Sequence, residues 1–357
     1  AHGGQAWQDA TIFDSVVMAT GGPEFYEASV IDLDPDAPEL TLHSGEAMIE
    51  KSTGHVIAAL LRRAEAEYFL STLELHERTR TTDVEDRVLY RYPWDIMAMM
   101  KETIPSDIES TRILQEKVYD RRQMVVGSAP CEIHQSATLF PNVVFDTSQG
   151  EIIVHEHATL RPGVVICGPA SIGPHATVLD HALIKANTVI GPWCKVAGEV
   201  GGTIFQGYAN KGHDGHLGDS WVGKWANFGA GTVNSNLLNT YGDVTMRIDV
   251  DGPRHKTGLQ FLGAIVGDHV KTAIGTRIMT GTVLGTGAMI ASTAPPPATV
   301  QRFAWLTDDG ERSYRLNRFI DVMNTVMARR DVKPSDAYLK HIRALHAQWT
   351  SSEGAPA

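Results

Sequence analysis

Branched or aliphatic residues fall every sixth position without a slip, at Val154, Leu160, Ile166, Ile172, Val178, Ile184, Ile190 and Val196. A helix asks for 3.6 spacing and a half-buried strand for alternation. A six-residue beat punctuated by Gly and Pro therefore predicts a stacked solenoid of very short strands. Four residues after each sits a small or slender side chain: Ala158, Val164, Ala170, Ala176, Ala182, Thr188, Cys194 and Val200. Two inward positions thus repeat together. Three such hexapeptides make one triangular coil of about 18 residues, each side a strand and each corner a turn. The fold that matches is the left-handed parallel β-helix, whose hand is an exception to right-handed crossovers. Burying each large aliphatic is worth about 1.5–3 kcal/mol, and the slender partner keeps the corner from overfilling.

Outside this run the pattern changes. Residues 1–92 lack the beat and hold alternating apolar runs, TIFDSVVMA at 11–19 and GEAMIEKSTGHVIAALL at 45–61, the second reading as a hairpin around Ser52-Thr53-Gly54. The segment at 90–117 predicts a helical connector interrupted by Pro105. Irregular stretches near 202–216 and 234–258 read as insertions, which project from a solenoid as loops and often carry function. The run Ala294-Pro295-Pro296-Pro297 is expected to end the repeats, and 313–330 and 334–349 have helical apolar spacing. The expected organisation is mainly β: a partial α/β domain at 1–92, a helical linker at 93–130, the left-handed β-helix of hexapeptide repeats at 131–293, and a Pro-rich segment with C-terminal helices at 294–357.

Length and composition narrow the classes. The 357 residues suffice for two structural units, and no stretch is long and apolar enough to cross a bilayer, so no membrane association is expected. A net charge of −11 argues against a general nucleic-acid binder. The three cysteines, Cys131, Cys167 and Cys194, form no CxxC pair, and AHGGQAWQDA lacks the basic-then-apolar pattern of a signal peptide. Both point to a cytoplasmic protein.

The most distinctive stretch is FQGYANKGHDGHLGDSWVGKWANFGAGTVNSN at 205–236. Within it stand His213, Leu217-Gly218-Asp219, Val222-Gly223, Asn227-Phe228-Gly229-Ala230-Gly231-Thr232 and Ser235-Asn236, and GDHVKTAIGTRIMTGTVLGTGAMIAS follows at 267–292. An imidazole in a Gly-flanked loop can take a proton from an attacking amine, as N-acyl transfer requires. A lone His without such a motif is more often structural. Amides such as those of Asn227 and Asn236 both donate and accept, as sugar hydroxyls and amides need, although Asn also serves as a turn residue.

These motifs resemble, without a gap, the acetyltransferase half of the bifunctional N-acetylglucosamine-1-phosphate uridyltransferase/glucosamine-1-phosphate acetyltransferase (GlmU) family. Related sugar nucleotidyltransferase-like proteins share YPWDI at 92–96 and the NKGHDG and KTGLQF segments; the resemblance covers about residues 40–300. It implies an acetyl-CoA-dependent N-acetyltransferase acting on an amino sugar phosphate or nucleotide-linked amino sugar, the amine attacking the thioester directly with His213 as general base. It places Asn227, Asn236 and His216 at the sugar substrate; Lys211, two residues before His213, reads from its own charge as a point contact for a sugar phosphate or equally as solvated loop charge. The resemblance places Ala230, with Gly229 and Gly231, at the thioester, where a backbone N–H stabilises the oxyanion, and Ile274 and Ser292 along coenzyme A. It further implies a homotrimer with sites between neighbouring prisms.

The chain departs from the family in three places. The family's Tyr three residues after the base is His216 here, and the Tyr after the second Asn is Leu237. No LxxGxGTRM loop is present for nucleotide phosphates, Gly21-Gly22 being too short a signal. A sugar-1-phosphate nucleotidyltransferase whose catalytic half is degenerate or supplied elsewhere is the alternative, and only that activity would need Mg²⁺. A third reading, a zinc enzyme of the γ-carbonic anhydrase kind, rests on His157 and His175 lying 18 residues apart. Stacked exterior His is the simpler account, and no resident metal is expected.

Overall fold

The computed structural model describes residues 25–28, 42–72, 74–85, 90–110 and 124–352. The alternating run at 11–19 and the Gly21-Gly22 pair lie outside the described residues. The chain divides into two units, residues 1–96 and 97–357.

In the first unit Glu46–Glu50 and His55–Arg62 form the expected hairpin, pairing antiparallel around the turn at 51–54. Phe25–Ala28 adds antiparallel to one side of it and Arg80–Val84 parallel to the other, giving a four-stranded sheet. The helix α1 (Arg63–Thr72) packs Ala66 and Phe69 against Ala47, Val56, Ala59 and Leu61. Glu50, fully buried, accepts from the Thr53 hydroxyl at 2.7 Å.

The second unit is a three-faced parallel β-solenoid. Val154 pairs with Ile172 and Ile172 with Ile190, 18 residues apart, on the first face. Leu160 pairs with Val178 and Val178 with Val196 on the second, and Ile166 pairs with Ile184 on the third. All eight residues of the six-residue beat and all eight slender partners are fully buried. Six-residue sides and 18-residue coils are those of the left-handed parallel β-helix.

The prism reaches further than the beat predicts. Among the described residues its first strand is Met124–Val126, which pairs with Val144–Asp146, ahead of the expected start at Cys131. Past the proline run it adds Thr299–Val300 and Ala304–Thr307, paired in parallel with the preceding coil, so the prolines make a corner loop instead of ending the repeats. The stretch near 202–216 is likewise a coil. Val200 pairs with Ile184, 16 residues earlier, and Phe205 with Ile190, 15 earlier. Shortened corners hide the repeat there while the inward ladder continues. The true excursion is at 238–260, where Thr245–Met246 and His255–Lys256 pair antiparallel and Val244 and Met246 are buried.

One corner, between the first and second faces, carries a column of flat rings: His157, His175, Trp193, Tyr208, Trp225 and His269. Each adopts positive φ, between 55° and 63°. The first two imidazoles stack at 4.8 Å and His175 stacks on Trp193 at 4.2 Å. His157 and His175 are thus members of a stacked turn ladder, and ring stacking helps offset the cost of left-handed backbone. At the far end helices α3 (Leu316–Ala328) and α4 (Asp336–Ser352) cap the column. Phe319, Met323, Tyr338 and Leu345 form one apolar cluster with Trp225 and Phe303. The remaining helix, α2 (Pro93–Ser110), runs unbroken through Pro105. Buried Ile104 and Ile108 hold it despite the missing N–H.

Candidate functional site

The sequence-predicted residues gather around the corner between the second and third faces. Asn210, Asn227 and Lys271 bridge in parallel, and Lys271 pairs with Met289. Three residues beyond each of these come His213, Ala230, Ile274 and Ser292, which therefore occupy one position in four successive coils. At the usual spacing of about 4.8 Å between parallel strands, they form a column along the prism edge. The Gly275 N–H donates to the Ala230 carbonyl at 2.7 Å, while among the described residues no acceptor takes the Ala230 N–H. Ile274 is 80% exposed, and the Ser292 hydroxyl donates to the Ala294 carbonyl at 3.1 Å. A side chain at Gly229 would run into the backbone of Ala273, so the neighbouring coil needs a bare glycine there. Gly231, at φ +70°, turns the corner.

His213 is exposed on this edge. What fixes it is Lys211, and here the structure corrects the expectation. Lys211 does not reach out to an anion. It occupies the inward position that follows Val196 in the ladder and is 2% exposed. Its ammonium donates to the Ala197 carbonyl at 2.9 Å and to the His213 carbonyl at 3.0 Å. Burial pushes its pKa down to about 8, with Asp214 opposing. The side chain is a strut under the His213 loop.

On the second face, beside the column, the Asn210 amide donates to Asn227 Oδ1 at 2.9 Å, which leaves the Asn227 amide N–H groups for a ligand. Next in the ladder is Lys271, whose pKa burial pushes down to about 8.

On the third face two further predicted residues converge. A Cβ placed on Gly218 would lie 2.7 Å from both His216 Nε2 and Asn236 Nδ2, so these polar ends share the space above a bare glycine. Asn236 donates to Asp219 Oδ2 at 2.5 Å, and Asp219's pKa is raised by burial, the Asn236 hydrogen bond opposing. His216 Nδ1 is 3.4 Å from Glu199 Oε1, and Glu199 also accepts from Lys185. The Lys185 hydrogen bond is the main reason Glu199 sits below the usual carboxylate range.

Glu199 and Lys185 carry no signal in the sequence, and Asp219 stands in the motif without a role assigned to it. Glu199 and His216 are partners across a 17-residue coil, so an 18-residue frame does not align them. Asn234 has no assigned role there either: turned inward, its amide donates to the Gly218 carbonyl and accepts from the Gly218 N–H, both at 2.8 Å. It stitches the third face where the ordinary ladder lapses. His213 and Ala230 thus lie together on the edge, His216 and Asn236 together on one adjoining face, and Asn227 on the other. Among the described residues no group of three or more His, Cys, Asp or Glu is placed to hold a metal.

No family model matches the chain. It is 30% identical over 160 residues to a bifunctional sugar-1-phosphate nucleotidylyltransferase/acetyltransferase from Sulfurisphaera tokodaii, covering 43% of this chain and 37% of that protein. It is 30% identical over 123 residues to the bifunctional protein GlmU of Methanococcus vannielii, 34% of this chain and 28% of that protein. With the GlmU of Synechococcus elongatus the identity is 27% over 202 residues, 48% and 43% of the two chains. The chain spans less than half the length of these relatives. The resemblance carried by the motifs is thus matched by similarity to GlmU proteins from archaea and a cyanobacterium.

Proposed function

We propose that the chain is an acyltransferase that moves the acetyl group of acetyl-CoA onto the amine of an amino sugar phosphate or nucleotide-linked amino sugar. The observation that carries this reading is the edge column, in which His213 and Ala230 stand one coil apart at the same register, with Ile274 and Ser292 continuing the line. A thioester laid along that edge has the Ala230 N–H for its developing oxyanion. His213, held from below by Lys211, takes the proton as the amine attacks; the C–N bond forms, the C–S bond breaks and the thiol leaves. Asn227 on one face, with His216 and Asn236 on the other, binds the acceptor's hydroxyl and amide groups. Lys211 takes part as a positioning residue. The similarity to proteins named for acetyl transfer and sugar-1-phosphate chemistry supports the same reading.

Because each prism offers this edge to solvent, we further propose a homotrimer in which a neighbour closes the cleft. The test is to mix acetyl-CoA with amino sugar 1-phosphates and follow free thiol. The reading expects thiol release that falls at least about 100-fold in His213→Ala, the usual scale for losing a general base. Absence of thiol release with every amino sugar tried would overturn it.

A further inference from the structure

The excursion at 238–260 does more than decorate the prism. Between it and the last coils lies a cavity of about 390 Å³, within the size range of small-ligand sites. Arg247 and Arg254 line it, together with the threonines Thr245, Thr280 and Thr299 and an apolar wall that includes Leu238. The chain as a whole is acidic, with a net charge of −11, so a cavity lined by two arginines stands out. Asp243, Asp249 and Asp251 share the excursion. Yet among the described residues no carboxylate forms an ion pair with either arginine.

The cavity is also built. Arg247 is fixed by donating from Nη1 to the Val250 carbonyl at 2.7 Å, which leaves its other N–H groups free of that bond. Thr299 donates to the Arg247 carbonyl at 2.8 Å and ties the excursion to the last coil. Thr280 donates to Ser235 Oγ at 2.8 Å, so one wall of the cavity touches the residue next to Asn236. Val244 and Met246, 1% exposed, anchor the hairpin beneath.

We infer that this cavity is an anion site that takes the phosphoryl group of a small phosphorylated ligand, held between Arg247 and Arg254 with the Thr245 hydroxyl as a further donor. A planar guanidinium presents paired N–H groups to phosphate oxygens, and such charge-assisted bonds are the strong ones. The apolar wall suits the body of the molecule that carries the phosphate. If the acyltransfer reading holds, the contact of Thr280 with Ser235 puts this site next to the Asn236 face, and the phosphate belongs to the acceptor; only that last assignment rests on the reading.

Calorimetric titration without acetyl-CoA tests the inference independently of catalysis. The probes are inorganic phosphate, an amino sugar 1-phosphate, the same amino sugar without phosphate, and free coenzyme A. The proteins are the full chain, Arg254→Gln, Arg247→Lys, and Arg312→Gln as an exposed control outside the cavity. The expected result is that Arg254→Gln weakens the sugar phosphate and inorganic phosphate by about tenfold or more. Arg247→Lys should weaken them less, and the unphosphorylated sugar and the control should be unaffected. A loss confined to coenzyme A would uphold the phosphoryl site and assign it to the donor. Equal affinities of all phosphorylated probes for the full chain and Arg254→Gln would overturn it, whether or not the protein releases thiol from acetyl-CoA.

Discussion

Lys211→Met is the sharpest test of how the His213 edge is built. The lysine occupies an inward position of an otherwise apolar ladder, 2% exposed, and burial lowers its pKa from 10.5 to about 8. At about 1.4 kcal/mol per pH unit, that difference is on the order of 3 kcal/mol. The folded-state pKa lies below the unfolded one, so between pH 8 and 10.5 the unfolded chain binds more protons and stability rises with pH. The neutral amine keeps two N–H groups, enough for the carbonyls of Ala197 and His213 that it serves. Methionine fits the apolar ladder but leaves both carbonyls unpaired, at about 1–3 kcal/mol each. At pH 7 these effects nearly cancel, because the variant also loses a desolvated charge. At pH 10 the wild type has shed that cost and the variant is the less stable by a few kcal/mol. Denaturant unfolding of both proteins from pH 7 to 10 measures this. Lys271, also lowered to about 8, contributes equally to both proteins and drops out of the difference. Parallel stability curves for the two proteins would mean that Lys211 carries no desolvation cost in the folded chain. The variant's thiol release should fall even at pH 7, where its stability is unchanged.

Other consequences are simpler to read. Gly218→Ala pushes a methyl against His216 and Asn236, both movable side-chain ends; acceptor KM should rise by about tenfold with little change in Tm, as steady-state kinetics and thermal melts will show. Ala176→Leu overfills a fully buried corner and should cost about 1–3 kcal/mol in denaturant unfolding, more than a change at His175 on the outer ring column. Ile184→Ala opens the ladder between Ile166 and Val200 and should cost about 2–5 kcal/mol by the same measurement. His269, lowered to about 3 by burial, makes stability fall as pH drops from 6.5, whereas Asp268, raised to about 7 by burial, makes it fall as pH rises from 3.8. The two slopes oppose, so Asp268→Asn should reveal an acid-labile cap in pH-dependent melts.

The beat from Val154 to Val196 made the prism legible because each of those residues is an inward aliphatic and nothing polar interrupts the register. Legibility failed where a corner shortened. Val200 reads in sequence as the slender partner of Val196, yet it pairs with Ile184 as the next large inward residue. One coil beyond Val196 the inward position is Lys211, which no hydrophobic pattern can place inside. The column of His213, Ala230, Ile274 and Ser292 came through the motif resemblance, and strand register explains why those spacings belong together. Glu199 behind His216 stayed hidden because the contact crosses a 17-residue coil, and Arg247 and Arg254 because they meet only when the excursion folds back on the last coils. Long-range pairings set by irregular corners carry no local periodic signal.

In the proposed function the His213 edge carries an acyl group from coenzyme A to an amino sugar. Mass spectrometry of the acceptor after incubation with acetyl-CoA tests it most directly. One added acetyl group on the acceptor nitrogen, formed by the wild type and lost in His213→Ala, is the predicted result. An acceptor of unchanged mass, or one acetylated equally well by the variant, would contradict it.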